Sequence, residues 1–182
     1  MSADEQRNVT ISTEATLLPV EAHHRVVLVT GGGSGIGRAT AVAFARSGAA
    51  TIVVAGRRLD ALEESAALVR ELGVQSLAVQ ADISRKEDVE RIVGETVDRF
   101  GRLDVAVNNA GYQEPRAALA EQDDAIFEQV FDTNVRGIFY SMRAEIRTML
   151  SLGIGGAIIN NASVSGVRNP NIGLSLYSAS KS

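Results

Sequence analysis

The feature that most limits this fold is an alternation of short apolar runs with stretches of helical spacing. The runs are Val26–Val29, Thr51–Ala55, Val74–Val79, Leu103–Val107 and Ala157–Asn160. Each is short enough to be a buried strand and too short to be a stable helix. Between them lie Ile36–Ser47, stopped by Gly48, and Leu59–Leu72, stopped by Gly73. Ser84 with Glu87 reads as a capping box opening a further helix that runs to about Phe100. Asp123 or Asp124 caps a helix through Phe131, and Asn134–Leu150 is a second, longer one. Gly166–Gly173 reads as a loop, and a last helix begins near Ser175. Strands alternating with helices of this length imply parallel βαβ units with right-handed crossovers. The expectation is an α/β protein: a doubly wound parallel sheet with its ligand at the carboxyl ends of the strands.

Composition narrows the function classes. At 182 residues, 45% hydrophobic and 22% charged, the chain favours one packed domain. A net charge of −4 without a basic stripe argues against a nucleic-acid partner. There is no cysteine, so disulfides, thiolate metal sites and a cysteine nucleophile are excluded. That also fits a reducing compartment, and a cytoplasmic location is expected. No run reaches the ~18 apolar residues of a membrane span. Residues 1–25 are polar, mixed in charge and without the apolar stretch of a signal peptide, and are expected to be a flexible extension preceding a domain at 26–182. His23 and His24 read as the solvated end of that extension, since no carboxylate-rich segment supports a metal site.

The first strand is followed by Thr30-Gly31-Gly32-Gly33-Ser34-Gly35-Ile36-Gly37, which opens a helix. Glycines let backbone turn tightly and approach a pyrophosphate, and the helix N-terminus offers free N–H groups and a positive dipole end. Gly31, Gly33, Ser34, Gly35, Ile36 and Gly37 are therefore candidate dinucleotide-binding residues. The spacing Thr-Gly-x-x-x-Gly-x-Gly resembles that of the short-chain dehydrogenase/reductase family, and the resemblance covers nearly all of Val26 to Lys181. It implies a Rossmann-like fold and a nicotinamide cofactor.

An acidic residue roughly 20 positions past the glycines would bind the ribose hydroxyls of NAD. After the second strand this chain has Gly56-Arg57-Arg58 instead. Arg57 suits a 2′-phosphate, as in the NADP-preferring members, so NADP(H) is favoured over NAD(H). A solvated helix start would use the same two arginines. The resemblance further implies that Asp82 and Ile83 line the adenine side. It also implies that Asn109, Ala110 and Gly111, in Asn108-Asn109-Ala110-Gly111, shape the cofactor cleft.

Tyr177 and Lys181 are four apart, which places both on one helix face. Ser163 follows the fifth strand and precedes Tyr177 by 14 residues, and Asn134 begins the long helix. The family resemblance implies a role for each. Tyr177 exchanges a proton with the substrate oxygen. A tyrosine's ordinary pKa of about 10 is too high for that near neutrality. The ammonium of Lys181 and the nicotinamide charge are expected to favour the phenolate. Lys181 also holds the nicotinamide ribose, Ser163 polarises the substrate oxygen, and Asn134 fixes a water linking Lys181 to solvent. Three residues between tyrosine and lysine fit interconversion of a secondary alcohol and a ketone rather than enoyl reduction.

A complete domain of the family has seven strands and about 250 residues, whereas five strands are present here. The sequence is therefore expected to be a fragment or a truncated product, with its fifth strand an exposed edge and its last helix prone to fray. The implied partners are a small-molecule alcohol or ketone and, in the full-length form, a second copy in a homo-oligomer (dimer or tetramer). The alternative is a cofactor-binding or non-catalytic module without turnover.

Overall fold

The computed structural model of the protein describes residues 22–168 and 172–182. Five parallel strands, β1 (Val26–Thr30), β2 (Thr51–Gly56), β3 (Gln75–Gln80), β4 (Val105–Asn108) and β5 (Ala157–Asn160), form one sheet in the order β3-β2-β1-β4-β5. The helices are α1 (Gly35–Arg46), α2 (Leu59–Glu71), α3 (Lys86–Phe100), α4 (Asp124–Phe131), α5 (Ile138–Ser151) and α6 (Ser175–Ser180). The doubly wound α/β expectation holds, with each expected strand within one or two residues of its place.

Alternating side chains of the central strands explain the two-sided covering. Val27 and Val29 of β1, with Ile52, Val54, Val105 and Val107, pack against Ala41 and Ala45 of α1 and Leu62, Ala66 and Val69 of α2. Leu28, Val53, Ala55 and Ala106 point to the other face, against Ile92 and Val93 of α3 and Met149 of α5. Strands apolar on both faces are what a covered parallel sheet requires. β5 differs. Its pattern is mostly exposed, and Ile159 keeps 47% of its surface.

Three expectations need correction. The capping box at Ser84 does not form: α3 starts at Lys86 with no side-chain cap. The Ser84 hydroxyl instead donates to Asp82 Oδ1 at 2.8 Å, and Asp88 Oδ2 accepts from the Asp82 N–H at 2.9 Å. Asp82 lies close enough to take the hydroxyl first. The helices ending at Phe131 and beginning at Asn134 are one rod, joined by π-helical turns over Asp132–Gly137. Wide turns of this kind re-aim side chains within a helix. The packed fold also begins before Val26. Ala22 is fully buried, its N–H reaches Ser47 O, and His23 bridges Ala49. The rest of the N-terminal extension, and residues 169–171 of the expected Gly166–Gly173 loop, fall outside the described residues. Val164–Gly166 forms a short 3-10 turn. Among the described residues no helix is long and apolar enough to cross a membrane, and no group of His, Asp and Glu has metal-site geometry.

Candidate active site

The strand order reverses direction between β1 and β4, so the loops leaving their carboxyl ends diverge and open a cleft. Its volume is about 540 Å³. Gly31, Gly33, Ser34, Gly35 and Ile36 form one wall, Arg57 with Asp82 and Ile83 a second, and Asn109, Ala110 and Gly111 the floor. Tyr177 and Lys181 close the far end.

The glycine loop is shaped for a close guest. Gly31 has φ +65°, and a Cβ there would sit 2.8 Å from Asn109 Nδ2 and 2.9 Å from Ala110 Cα. Gly35 also has positive φ, at +50°, with open space where a side chain would stand. Gly37 does not line the cleft. A Cβ there would collide with Gly31 O, so its role is to let α1 approach the loop. Arg38 clamps the loop from behind, donating to Gly33 O at 2.7 Å and to Ser65 Oγ at 2.8 Å. A bare, strongly turned backbone with an open face beside an arginine pair fits a dinucleotide's phosphates.

A chain of amide contacts runs from this loop to the opposite end. Thr30 Oγ1 accepts from the N–H groups of Asn109 and Ala110 at 3.1 and 3.2 Å. Asn109 Nδ2 donates to Thr30 O, and Asn109 Oδ1 accepts from Asn161 Nδ2 at 2.9 Å. The Asn161 carbonyl then accepts from Lys181 Nζ at 2.9 Å. That ammonium lies 6.0 Å from the centre of the Tyr177 ring. Burial pushes the Lys181 ammonium below its ordinary range, since leaving water penalises the charged form.

Two expected residues stand differently. Asn134, buried in the π-helical turns, spends its amide on protein: Oδ1 accepts from Tyr112 N, and Nδ2 donates to Tyr112 O and Ser180 Oγ, all within 2.9 Å. It braces the end of α6 beside Lys181 rather than presenting a free amide. Ser163 opens the 3-10 turn, where its Oγ accepts from Ser165 N–H at 3.2 Å, and it is absent from the cleft lining.

Sequence reasoning missed Tyr112, Gln113, Thr133 and Asn161, all lining the cleft. It also missed Glu145 of α5. That carboxyl is 1% exposed and accepts from Asn108 Nδ2 at 3.0 Å, while burial pushes it up to about 7. An acidic residue at a core-facing position of α5, between Ser141 and Met149, was the available signal.

Fold and cleft together define a Rossmann-type α/β domain. The sequence model described as short chain dehydrogenase matches residues 25–182, and the chain belongs to that family. The A-factor type gamma-butyrolactone 1′-reductase (1S-forming) of Streptomyces virginiae is 45% identical over 79% of this chain. The 3beta-hydroxysteroid dehydrogenase 2 of Eggerthella lenta is 38% identical over 81%. The crystal structure of NAD+-bound xylitol dehydrogenase superposes with a TM-score of 0.84 at 35% identity, covering 88% of this chain. The chain spans 55%, 58% and 61% of these three proteins respectively.

Proposed function

We propose that the protein is an NADP(H)-dependent oxidoreductase that interconverts a secondary alcohol and a ketone. The observation that carries this reading is the bonded path from the glycine loop through Asn109 and Asn161 to Lys181, with Tyr177 beside it in one cleft. Named relatives act on a hydroxysteroid, a butyrolactone and xylitol, which supports an alcohol or ketone as substrate.

The glycine backbone of Gly31, Gly33 and Gly35, with Ser34 and Ile36, would hold the cofactor's phosphates, and Arg57 its 2′-phosphate. Asp82 and Ile83 would flank the adenine, and Asn109, Ala110 and Gly111 would support the nicotinamide half. When bound, the cofactor supplies or accepts the hydride. The rest falls to the chain. Tyr177 holds or releases the proton at its phenolic oxygen. Lys181 would bring a positive charge toward that oxygen and would hold the ribose. Ser163 would donate its hydroxyl proton to the substrate oxygen. Asn134 keeps the end of α6, and so Lys181, in register. Homo-oligomer formation is supported by exposed apolar side chains along α5, Phe139, Ile146 and Leu150, the last 76% exposed.

The test uses the protein as its source makes it. NADP+ and NAD+ are titrated, then turnover is measured with xylitol and with a 3β-hydroxysteroid. Tighter binding of NADP+ is expected, and Tyr177→Phe should lower turnover by about 10³-fold at unchanged cofactor affinity. Unchanged turnover would remove Tyr177 from its role. The second reading, cofactor binding without turnover, is favoured by Ser163, whose oxygen accepts from Ser165 N–H outside the cleft lining. It predicts tight NADP+ binding and no reaction in the unsubstituted protein.

A further inference from the structure

We propose that Glu114 is a positioning residue for Tyr177, its buried carboxylate fixing the first turn of the helix that carries the phenol. This rests on the oxidoreductase reading above and adds a residue that reading does not use.

Glu114 lies three positions past Gly111, in the loop leaving β4. It is 2% exposed. Its Oε1 accepts from the N–H of Leu176 at 3.0 Å and of Tyr177 at 3.1 Å, and its Oε2 accepts from Tyr177 N–H at 3.0 Å. No ion pair to it forms among the described residues. A carboxylate taken out of water is costly unless its bonds compensate. Here the compensation comes from backbone N–H groups of one helix turn.

That turn needs help. The N-terminal flank of α6 supplies no side-chain cap. Two of its orphan N–H groups are met instead by a carboxylate 62 and 63 residues away in sequence. An anion at a helix start also complements the helix dipole. The capping group belongs to the loop that begins with Asn109, Ala110 and Gly111, so it registers Tyr177 against the cleft floor directly. Two further straps join the same loops, Ala117 N–H to Gly173 O at 3.2 Å and Arg116 Nη1 to Ile172 O at 3.1 Å. Neither touches α6. At the other end Asn134 holds Ser180 and Asn161 holds Lys181. Glu114 therefore governs the tyrosine end of the pair and Asn134 the lysine end.

The experiment compares Glu114→Ala and Glu114→Gln in the full chain by two readouts. Amide hydrogen exchange at Leu176 and Tyr177 reports the hydrogen bonds whether or not the protein is an enzyme. Steady-state kinetics, with NADP+ and whichever of xylitol and a 3β-hydroxysteroid is turned over, report positioning. Glu114→Ala should lose protection at both amides and drop kcat by about 100-fold, the scale of an ångström-sized misplacement. NADP+ affinity should stay within about twofold because the glycine loop is untouched. Glu114→Gln keeps the shape and one acceptor oxygen, and should recover part of kcat and of the protection. Unchanged exchange in Glu114→Ala overturns the proposal. So does a fall of kcat and cofactor affinity together, which would mean general collapse. If Glu114→Ala does not fold, the same criteria apply to Glu114→Gln. Unchanged turnover of Tyr177→Phe would instead defeat the oxidoreductase reading, while exchange would still decide whether Glu114 holds the helix.

Discussion

The half of the molecule around β1 and β2 and the half around β5 and α6 are held by different forces. β1 and the first five residues of β2 are buried, and helices cover both faces. Around β5 and α6 polar contacts add to the packing: β5 is mostly exposed, and α6 buries Leu176 and is also pinned by Glu114, Asn134 and Asn161. Packing is a sum of many small contacts, whereas a hydrogen-bonded brace depends on each partner. The glycine-loop wall of the cleft is therefore set by the core, and its Tyr177–Lys181 end in part by a few polar contacts. Substitutions in the first half should be felt as lost stability. In the second half they should be felt as lost turnover in a folded protein.

The largest effect expected tests that contrast. Leu62 on α2 is fully buried against the β1–β2 side, whereas Ile159 on β5 is half exposed. Leu62→Ala should cost about 3 kcal/mol by the usual sum of lost transfer energy and residual cavity. Ile159→Ala should cost under about 1 kcal/mol, because much of its side chain already meets water. Denaturant unfolding of both variants decides it. Equal losses would mean that the two halves are packed alike.

Glu145 sits at the boundary of the halves and should give an effect of similar size that depends on pH. Its carboxyl is raised to about 7 from an ordinary value of 4.5 by burial, the Asn108 amide opposing weakly. Between those values the folded state keeps a proton that the unfolded state has released. Stability therefore falls as pH rises from 4.5 to about 7, and stays reduced above that. The size is on the order of 3 kcal/mol. Glu145→Gln keeps an acceptor for Asn108 and has no proton to lose. Relative to the native protein it should gain stability between pH 5 and pH 8, by calorimetry at each pH. A difference independent of pH would remove Glu145 from this role.

How much of this was legible depended on whether the cause was local. The glycine loop could be read because its backbone demand is written in adjacent residues, and Gly31 and Gly35 do take positive φ. The strands were legible because burial on both faces leaves continuous apolar runs. Glu114 was not, because a lone acid in a loop carries no sign of partners more than 60 residues away. Asn134 was placed at a helix start, but its amide bonds to Tyr112 and Ser180 belong to tertiary structure. The π-helical turns escaped because no residue type announces them.

The start of α3 offers the smallest effect and the finest test of local against tertiary reading. A working capping box would make Ser84→Ala cost about 1 kcal/mol. In the structure the serine hydroxyl turns to Asp82, and both groups stay near water, so the loss should be only a few tenths of a kcal/mol. Asp88 is the more consequential residue. Its carboxylate accepts the Asp82 N–H and pairs with Arg91, and those bonds hold it below the usual carboxylate range. A lowered carboxyl contributes stability at neutral pH and loses it as pH falls through its folded value. Asp88→Asn should therefore cost more than Ser84→Ala at pH 7, and the gap should close on acidification. Asp82 lines the cleft, so weakening the bond to its N–H should also loosen cofactor binding slightly. If Ser84→Ala proves the costlier change, the helix is capped as its sequence suggests, and the tertiary assignment of Asp88 is wrong.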